Sequence, residues 1–287
     1  MNTFKLYDIV TTPFKGHGFG DNRLIAYLHQ RIEAKLATRQ STLIEINGYK
    51  LRIHGLSGGI CVQLMREQEY EPVTTSIIQN LLPSVLNAVD IGANIGYYTL
   101  LMSQKAQGRV WAFEPEDKNL DVLHANIELN HANNITVLPY AVSDARGIGN
   151  LFVSKIESGE HSLVVKRHYA GIQFVPIVCL DGCFQSTSID LIKTDTEGND
   201  FKVLLGAKQL LKRNPALSLI TEFWPEGIVK SGYVPNVFWE YLRCYFRNIS
   251  IIDEIDGEIV PGTFEEAVNR SAKGLSVNLL CTNKEAA

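Results

Sequence analysis

Apolar residues change their period along this chain. Leu24, Ile25, Leu28, Ile32 and Leu36 recur at three- and four-residue intervals, which predicts a helix to about Arg39 capped by Asp21 or Asn22. Pro13, Gly16, Gly18 and Gly20 place a loop before it. Two β-like runs follow, Leu43–Ile46 and Lys50–Ile53. Asn47-Gly48 between them predicts a hairpin, because both residues tolerate positive φ. A polar stretch, Arg66–Glu71, then leads to Pro72 and a helix over Val73–Leu82 that Pro83 ends.

From Val85 onward short apolar strands alternate with amphipathic helices. Strands are predicted at Ala88–Ile91, Val110–Glu114, Thr136–Ala141, Leu191–Thr194 and Ser218–Glu222. Helices fit Tyr97–Lys105, Asn119–Asn130, Phe201–Leu211 and Val237–Tyr245. This alternation predicts an α/β fold, a doubly wound, mostly parallel sheet covered on both faces. The stretch Asp144–Asp181 interrupts it with Leu151–Val153, Leu163–Val165 and Phe174–Val178, which read as extra antiparallel strands. The C-terminal part offers Ile249–Glu254, a turn at Asp256-Gly257, Glu258–Val260 and Val277–Cys281. Residues 1–60 precede the sheet as an N-terminal extension of helix plus hairpin, a lid or dimerisation arm in expectation, and residues 61–287 form the main domain.

Composition narrows the function classes. The chain has 287 residues, 45% hydrophobic and 20% charged, with a net charge of −4, so no bulk basic signal for nucleic acid exists. Lys166-Arg167-His168 reads as a solvated turn. Cysteines stand at 61, 179, 183, 244 and 281 without zinc spacing, which predicts buried free thiols in a reducing compartment. No run of about 18 apolar residues is present and no basic-then-apolar leader opens the chain, so a cytoplasmic protein without membrane partner is expected.

The strongest chemical signal is Asp90-Ile91-Gly92-Ala93-Asn94-Ile95-Gly96, at a strand end that opens a helix. Open α/β sheets bind ligands there. Gly92 and Gly96 permit a tight turn and close backbone approach, and Asp90 can accept from an ammonium or an amide. A dinucleotide fingerprint would need glycines at 92, 94 and 97, where Asn94 and Tyr97 stand instead. Glu114 ends the second strand and can accept both hydroxyls of an adenosine ribose. Ser143 and Asp144 follow the third strand and can meet the adenine edge.

Several of these segments together resemble the FkbM family of methyltransferases. They are Asp90–Leu100, Ala112–Pro115 with Asn126–Asn130, Ala141–Asp144, Leu180-Asp181, Ile189–Gly198 and Leu204–Ala207, with Glu69–Pro72 just upstream. The resemblance covers roughly residues 66–225 and rests on the ordered set. It implies a class I methyltransferase domain that uses S-adenosyl-L-methionine and releases S-adenosyl-L-homocysteine. The methionine part would fall to Asp90, Gly92 and Asn94, the ribose to Glu114 and the adenine to Ser143 and Asp144. Asn199-Asp200 and Trp224 depart from the family pattern and bear on the acceptor side.

For the chemistry, alternation puts Lys193, Asp195 and Glu197 on one side of the fourth strand, with Glu222 ending the fifth. Asp195 can position the donor, hold an acceptor hydroxyl or act as base; the same acids with Glu197 could hold magnesium, although no metal site is expected. His161, in the inserted segment, is a candidate general base, with a surface loop histidine as the plain alternative. Trp224, Tyr233, Phe238 and Trp239 either line an apolar acceptor pocket or belong to the core. The leading expectation is O-methylation of a small molecule, sugar or modified peptide, as in natural-product biosynthesis, with a homodimer as the candidate assembly. Carboxylate or nitrogen methylation, a non-catalytic adenosine-binding partner subunit and a nicotinamide oxidoreductase are the alternatives.

Overall fold

A computed structural model describes residues 41–54, 60–154, 161–164, 169–272 and 275–284. The helix expected before Arg39, the loop at 13–20 and the basic triplet at 166–168 lie outside the described residues.

The chain opens with a hairpin, β1 (Ser41–Ile46) and β2 (Tyr49–His54), turned by Asn47 and Gly48 at φ of 52° and 80°. Two helices follow, α1 (Ile60–Glu67) and α2 (Pro72–Leu81). The wound unit comprises β3 (Ala88–Ile91), α3 (Tyr97–Lys105), β4 (Val110–Phe113), α4 (Asp117–Leu129) and β5 (Ile135–Leu138). An inserted sheet contains β6 (Ala141–Val142), β7 (Gly147–Ser154) and β8 (Tyr169–Val178), and α5 (Leu180–Cys183) follows. The unit resumes with β9 (Leu191–Thr194), α6 (Asp200–Leu205), α7 (Lys208–Arg213), β10 (Ser218–Phe223), α8 (Pro225–Lys230) and α9 (Pro235–Arg243). It closes with β11 (Asn248–Asp253), β12 (Glu258–Pro261), α10 (Phe264–Arg270) and β13 (Val277–Thr282).

The main sheet runs β12-β11-β13-β10-β9-β3-β4-β5. Pairs from β10 through β5 are parallel, while β13 runs antiparallel between β10 and β11. Alternation along the strands fills two cores. Val89, Ile91, Ile192 and Leu219 pack with α6, α7 and α9 on one face. Ala88, Leu191 and Ile220 pack on the other with α2, α3 and the hairpin's Ile46, Tyr49, Leu51 and Ile53. Both faces are therefore buried, as a doubly wound sheet requires.

Three expectations need correction. The strand expected over Thr136–Ala141 is two: Pro139 has no N–H for a ladder, and the chain leaves β5 there to begin β6 in the other sheet. Of the extra strands, Leu151–Val153 and Phe174–Val178 lie in β7 and β8 and pair antiparallel as expected, but Leu163 and Val164 form no strand, and Ser162 just before them makes a single bridge to Phe152; Val165 lies outside the described residues. The helix expected over Phe201–Leu211 breaks at Gly206, where a Cβ would stand 2.2 Å from the Ser143 carbonyl oxygen. Helix α1 was not among the expected elements, although Ser57-Gly58-Gly59 is a breaker signal directly before it.

The hairpin is fastened by side chains that imitate a neighbouring strand. Asn126 of α4 accepts from the Arg52 amide at 2.7 Å and donates to the Arg52 and Ile95 carbonyls at 3.1 and 2.8 Å. One turn later Asn130 treats Lys50 alike, accepting its amide at 2.8 Å and donating to its carbonyl at 2.6 Å. The i, i+4 spacing puts both amides on one helix face. This gives a physical reason for asparagine at both ends of Asn126–Asn130.

Cys61 and Cys281 are buried, but Cys183 and Cys244 are exposed, so the expectation of buried thiols holds for only part of the set. Among the described residues no helix is long and apolar enough to cross a membrane.

Candidate active site

The ends of β3, β4 and β9 open onto a cavity of about 320 Å³ lined by Asp90, Gly92, Asn94, Glu114, His161 and Asp195, among others. Six of the residues singled out from sequence thus share one space. Gly96, Ser143, Asp144 and Glu222 do not line it.

The loop after β3 owes its shape to glycine. Gly92 and Gly96 stand at φ of 80° and 94°. A Cβ on Gly92 would lie 2.1 Å from the Asp195 carbonyl oxygen, and one on Gly96 would lie 2.6 Å from Leu123 Cδ1. Both glycines therefore serve close packing within the protein as well as the turn. Asn94 is also left-handed, at φ of 50°, and its Oδ1 is buried without a hydrogen-bond partner.

Asp90 is buried and accepts from Thr99 Oγ1 at 2.5 Å. Burial raises its carboxyl, and Lys193 and the Thr99 hydroxyl moderate the effect. Glu114 accepts from the Asn94 amide at 2.7 Å on one oxygen and from the Glu116 amide at 2.9 Å on the other. Burial outweighs those two donors and pushes its pKa up to about 7. Beyond it, Tyr140, Ala141 and Val142 line the cavity where Ser143 and Asp144 were expected. Ser143 instead packs under Gly206, and Asp144 is exposed with Ser143 Oγ 3.1 Å away.

Lys193 is the residue whose role the sequence left open. It is 2% exposed, its Nζ lies 3.0 Å from Asp195 Oδ2 and it sits 4.5 Å over the Tyr98 ring. Burial opposes the ammonium, but Asp195, Glu71 and Asp90 overcome it and raise the pKa. Period-two alternation could have suggested the pairing with Asp195; it could not have supplied Glu71. That residue arrives from the turn before α2, where it stands at φ of 42° and accepts from Tyr98 OH at 2.6 Å. The expected alternation fails at Glu197, which lies past the strand in a left-handed turn at φ of 56°.

His161 lines the cavity and accepts from the Ser154 amide at 3.0 Å through Nδ1. A neutral imidazole accepting there carries its proton on Nε2. His161 therefore reaches the cavity with its Nδ1 already engaged by the protein's own backbone.

A second cavity of about 330 Å³ adjoins the first. Glu222, Glu71, Glu254, Asp253 and Ser276 line it, and Asp195, Tyr70 and Gln63 line both spaces. Glu222 thus stands in the neighbouring chamber. Among the described residues no group of three His, Cys, Asp or Glu is disposed to hold a metal, so Asp195, Glu197 and Glu222 do not form such a set. The four aromatic residues considered for an acceptor pocket line neither cavity. Phe238 and Trp239 are core, packed around Phe223, and Tyr233 packs on Phe201.

The methyltransferase sdnD of Sordaria araneosa is 30% identical over 185 residues, covering 51% of this chain and 70% of that protein. An O-methyltransferase of Bacillus cereus, solved with SAH, is 17% identical, with a TM-score of 0.43 over 76% of this chain and 84% of its own. An rRNA methylase of Streptococcus thermophilus is 10% identical, with a TM-score of 0.42 over 74% and 95%. Likenesses this weak between structures carry no argument about chemistry. The Methyltransferase FkbM domain, by contrast, matches residues 90–242, which is more than half of the sequence and contains every strand end that builds the first cavity. The chain belongs to the FkbM methyltransferase family.

Proposed function

We propose that this chain is an S-adenosylmethionine-dependent methyltransferase that acts on an oxygen of a small molecule, sugar or peptide. The observation that carries the reading is the position of Asp195, in the wall shared by the two cavities. A donor in the first space and an acceptor in the second would meet at its carboxylate.

The first cavity fits the cofactor's groups. Each Glu114 oxygen takes one amide, and the remaining lone pairs suit paired ribose hydroxyls. The orphaned Asn94 Oδ1 suits a donor such as an amino group, and Tyr140, Ala141 and Val142 suit a planar base. Bound there, S-adenosylmethionine supplies a methyl carbon made electrophilic by its sulfonium. The chain's own task is alignment and proton handling. Lys193 fixes Asp195, whose carboxylate can hold an acceptor hydroxyl and receive its proton.

Titration calorimetry with S-adenosylhomocysteine and with NAD tests the reading. Binding of the first with Kd in the micromolar range and none of the second is expected. Heat with NAD alone would overturn it.

A further inference from the structure

Among the described residues the second cavity gathers more acidic side chains than cations to pair them. Glu67, Glu71, Asp195, Glu222, Asp253 and Glu254 line it, with Arg270 as the cation among the described lining residues. Arg270 is already taken: Asp253 and Glu266 lie at 2.5 and 2.6 Å, and Glu258 and Asp256 at 3.0 and 3.6 Å. Lys193, behind the wall, is engaged by Asp195.

The acids also divide by how they are satisfied. Glu254 caps α2, accepting from the Val73 and Thr74 amides at 3.0 and 2.7 Å. Asp253 accepts from the Ile255 and Asp256 amides besides Arg270. Glu71 has Tyr98. Glu222 differs. It is 9% exposed, and although Ser276 bonds its carboxyl, Oε2 is buried with no hydrogen-bond partner. Its place follows from the sheet: Thr221 pairs with Thr194, so Glu222 stands beside Asp195 at the end of the adjacent strand. An orphaned buried carboxylate oxygen costs free energy that a cationic donor would recover.

We propose that the acceptor carries a protonated amine, which docks against Glu222 in the second cavity while a hydroxyl of the same molecule lies at Asp195. The proposal rests on the methyltransferase reading above and names its substrate class. A protonated amine has no lone pair, so the docked nitrogen is a handle and the methylated atom is elsewhere. This agrees with an oxygen acceptor. Burial, then the charges of Glu197, Asp195 and Asp200, hold the Glu222 carboxyl well above the usual carboxylate range. Docking an ammonium reverses the electrostatic part, so amine binding releases a proton from Glu222.

The test uses the full chain preloaded with S-adenosylhomocysteine. The probes are amino sugars, amino alcohols and amine-terminated dipeptides, each paired with its N-acetylated counterpart. Calorimetry in two buffers of different ionisation enthalpy reads affinity and protons released together. At least one amine is expected to bind tenfold or more tightly than its acetylated partner, with net proton release. Glu222→Gln should bring that preference below about twofold and abolish the release. Glu67→Gln, an exposed change on α1, should weaken the preference only partly. Thermal melting confirms that both variants fold.

The proposal is overturned if no amine outbinds its acetylated partner, or if the preference survives Glu222→Gln. Magnesium chloride titrated alone and binding through Glu222 would overturn it as well, by putting a metal where the ammonium is placed. Absence of homocysteine-cofactor binding would instead strike the methyltransferase reading, so the two failures are distinguishable.

Discussion

Glu114 sets the sharpest test of the donor half. Its carboxyl is raised to about 7 by burial, although two backbone amides point at it. Two ribose hydroxyls add two more donors, so the ligand requires the ionised form. At about pH 8 roughly nine-tenths of Glu114 is ionised, and at about pH 6 roughly one-tenth. Affinity for S-adenosylhomocysteine should therefore fall about tenfold between those pH values. Glu114→Gln replaces one acceptor oxygen by an NH₂ that must face a backbone amide, Asn94 or Glu116. Losing hydrogen bonds to a charged group costs on the order of 1.5–3 kcal/mol, which is about ten- to a hundredfold in Kd. The variant should also lose the pH dependence in this window. Calorimetric Kd values at both pH values for both proteins decide the matter. A wild-type affinity that is flat with pH, together with a variant that binds equally well, would refute the reasoning.

Three further outcomes are expected. Without ligand, the folded chain should be more stable near pH 5 than near pH 8: Glu114 at about 7 and Asp200 at about 6 lie above their unfolded values, so their contribution is complete below about 4.5 and is lost as pH rises through the folded values. Asp253 is shifted the other way and acts only in stronger acid, so melting temperatures read across pH 5–8 isolate the raised groups; a rise with pH would contradict this. Lys193→Met leaves Asp195, Glu71 and Asp90 without their shared cation and should cost about 3–5 kcal/mol in urea unfolding at neutral pH; a loss under about 1 kcal/mol would show that the acids relax without it. Asn126→Ala removes three hydrogen bonds and orphans the amide and carbonyl of Arg52, for a cost of about 3 kcal/mol; faster amide exchange should be confined to β2 and the loop after β3, and global loosening would argue against a local clasp.

The order of strands and the acids at their ends could be read because each depends on local pattern. Ile91-Gly92 follows an apolar run, and Glu114 closes the next one. What escaped the sequence depends on contacts between distant segments. Nothing local says that Gly206 must clear the Ser143 carbonyl, so the helix break was invisible. Glu222 looked equivalent to Asp195, yet the polypeptide between α1 and α2 inserts Tyr70 and Glu71 and divides the space. His161 could be placed near the site by its residue type, but the bond from the Ser154 amide to its Nδ1 could not be foreseen. Residue type thus told which groups gather, while hydrogen-bond direction decided what each can do.

The Tyr70–Glu71 partition has a bearing on how such a molecule could be retargeted. Its carbonyl and carboxylate are tied to Thr75 and Tyr98, and the helix it introduces is held by Glu254 from the turn between β11 and β12. The chamber beyond it takes walls from α1, β11 with the turn after it, α10 and β13, whereas the loop after β3 lines the first cavity. Exchanging residues such as Ile255 or Ser276 would reshape what enters from one direction while leaving the opposite compartment undisturbed. A lineage using this scaffold can change its clientele by editing a rim far from the glycine turn.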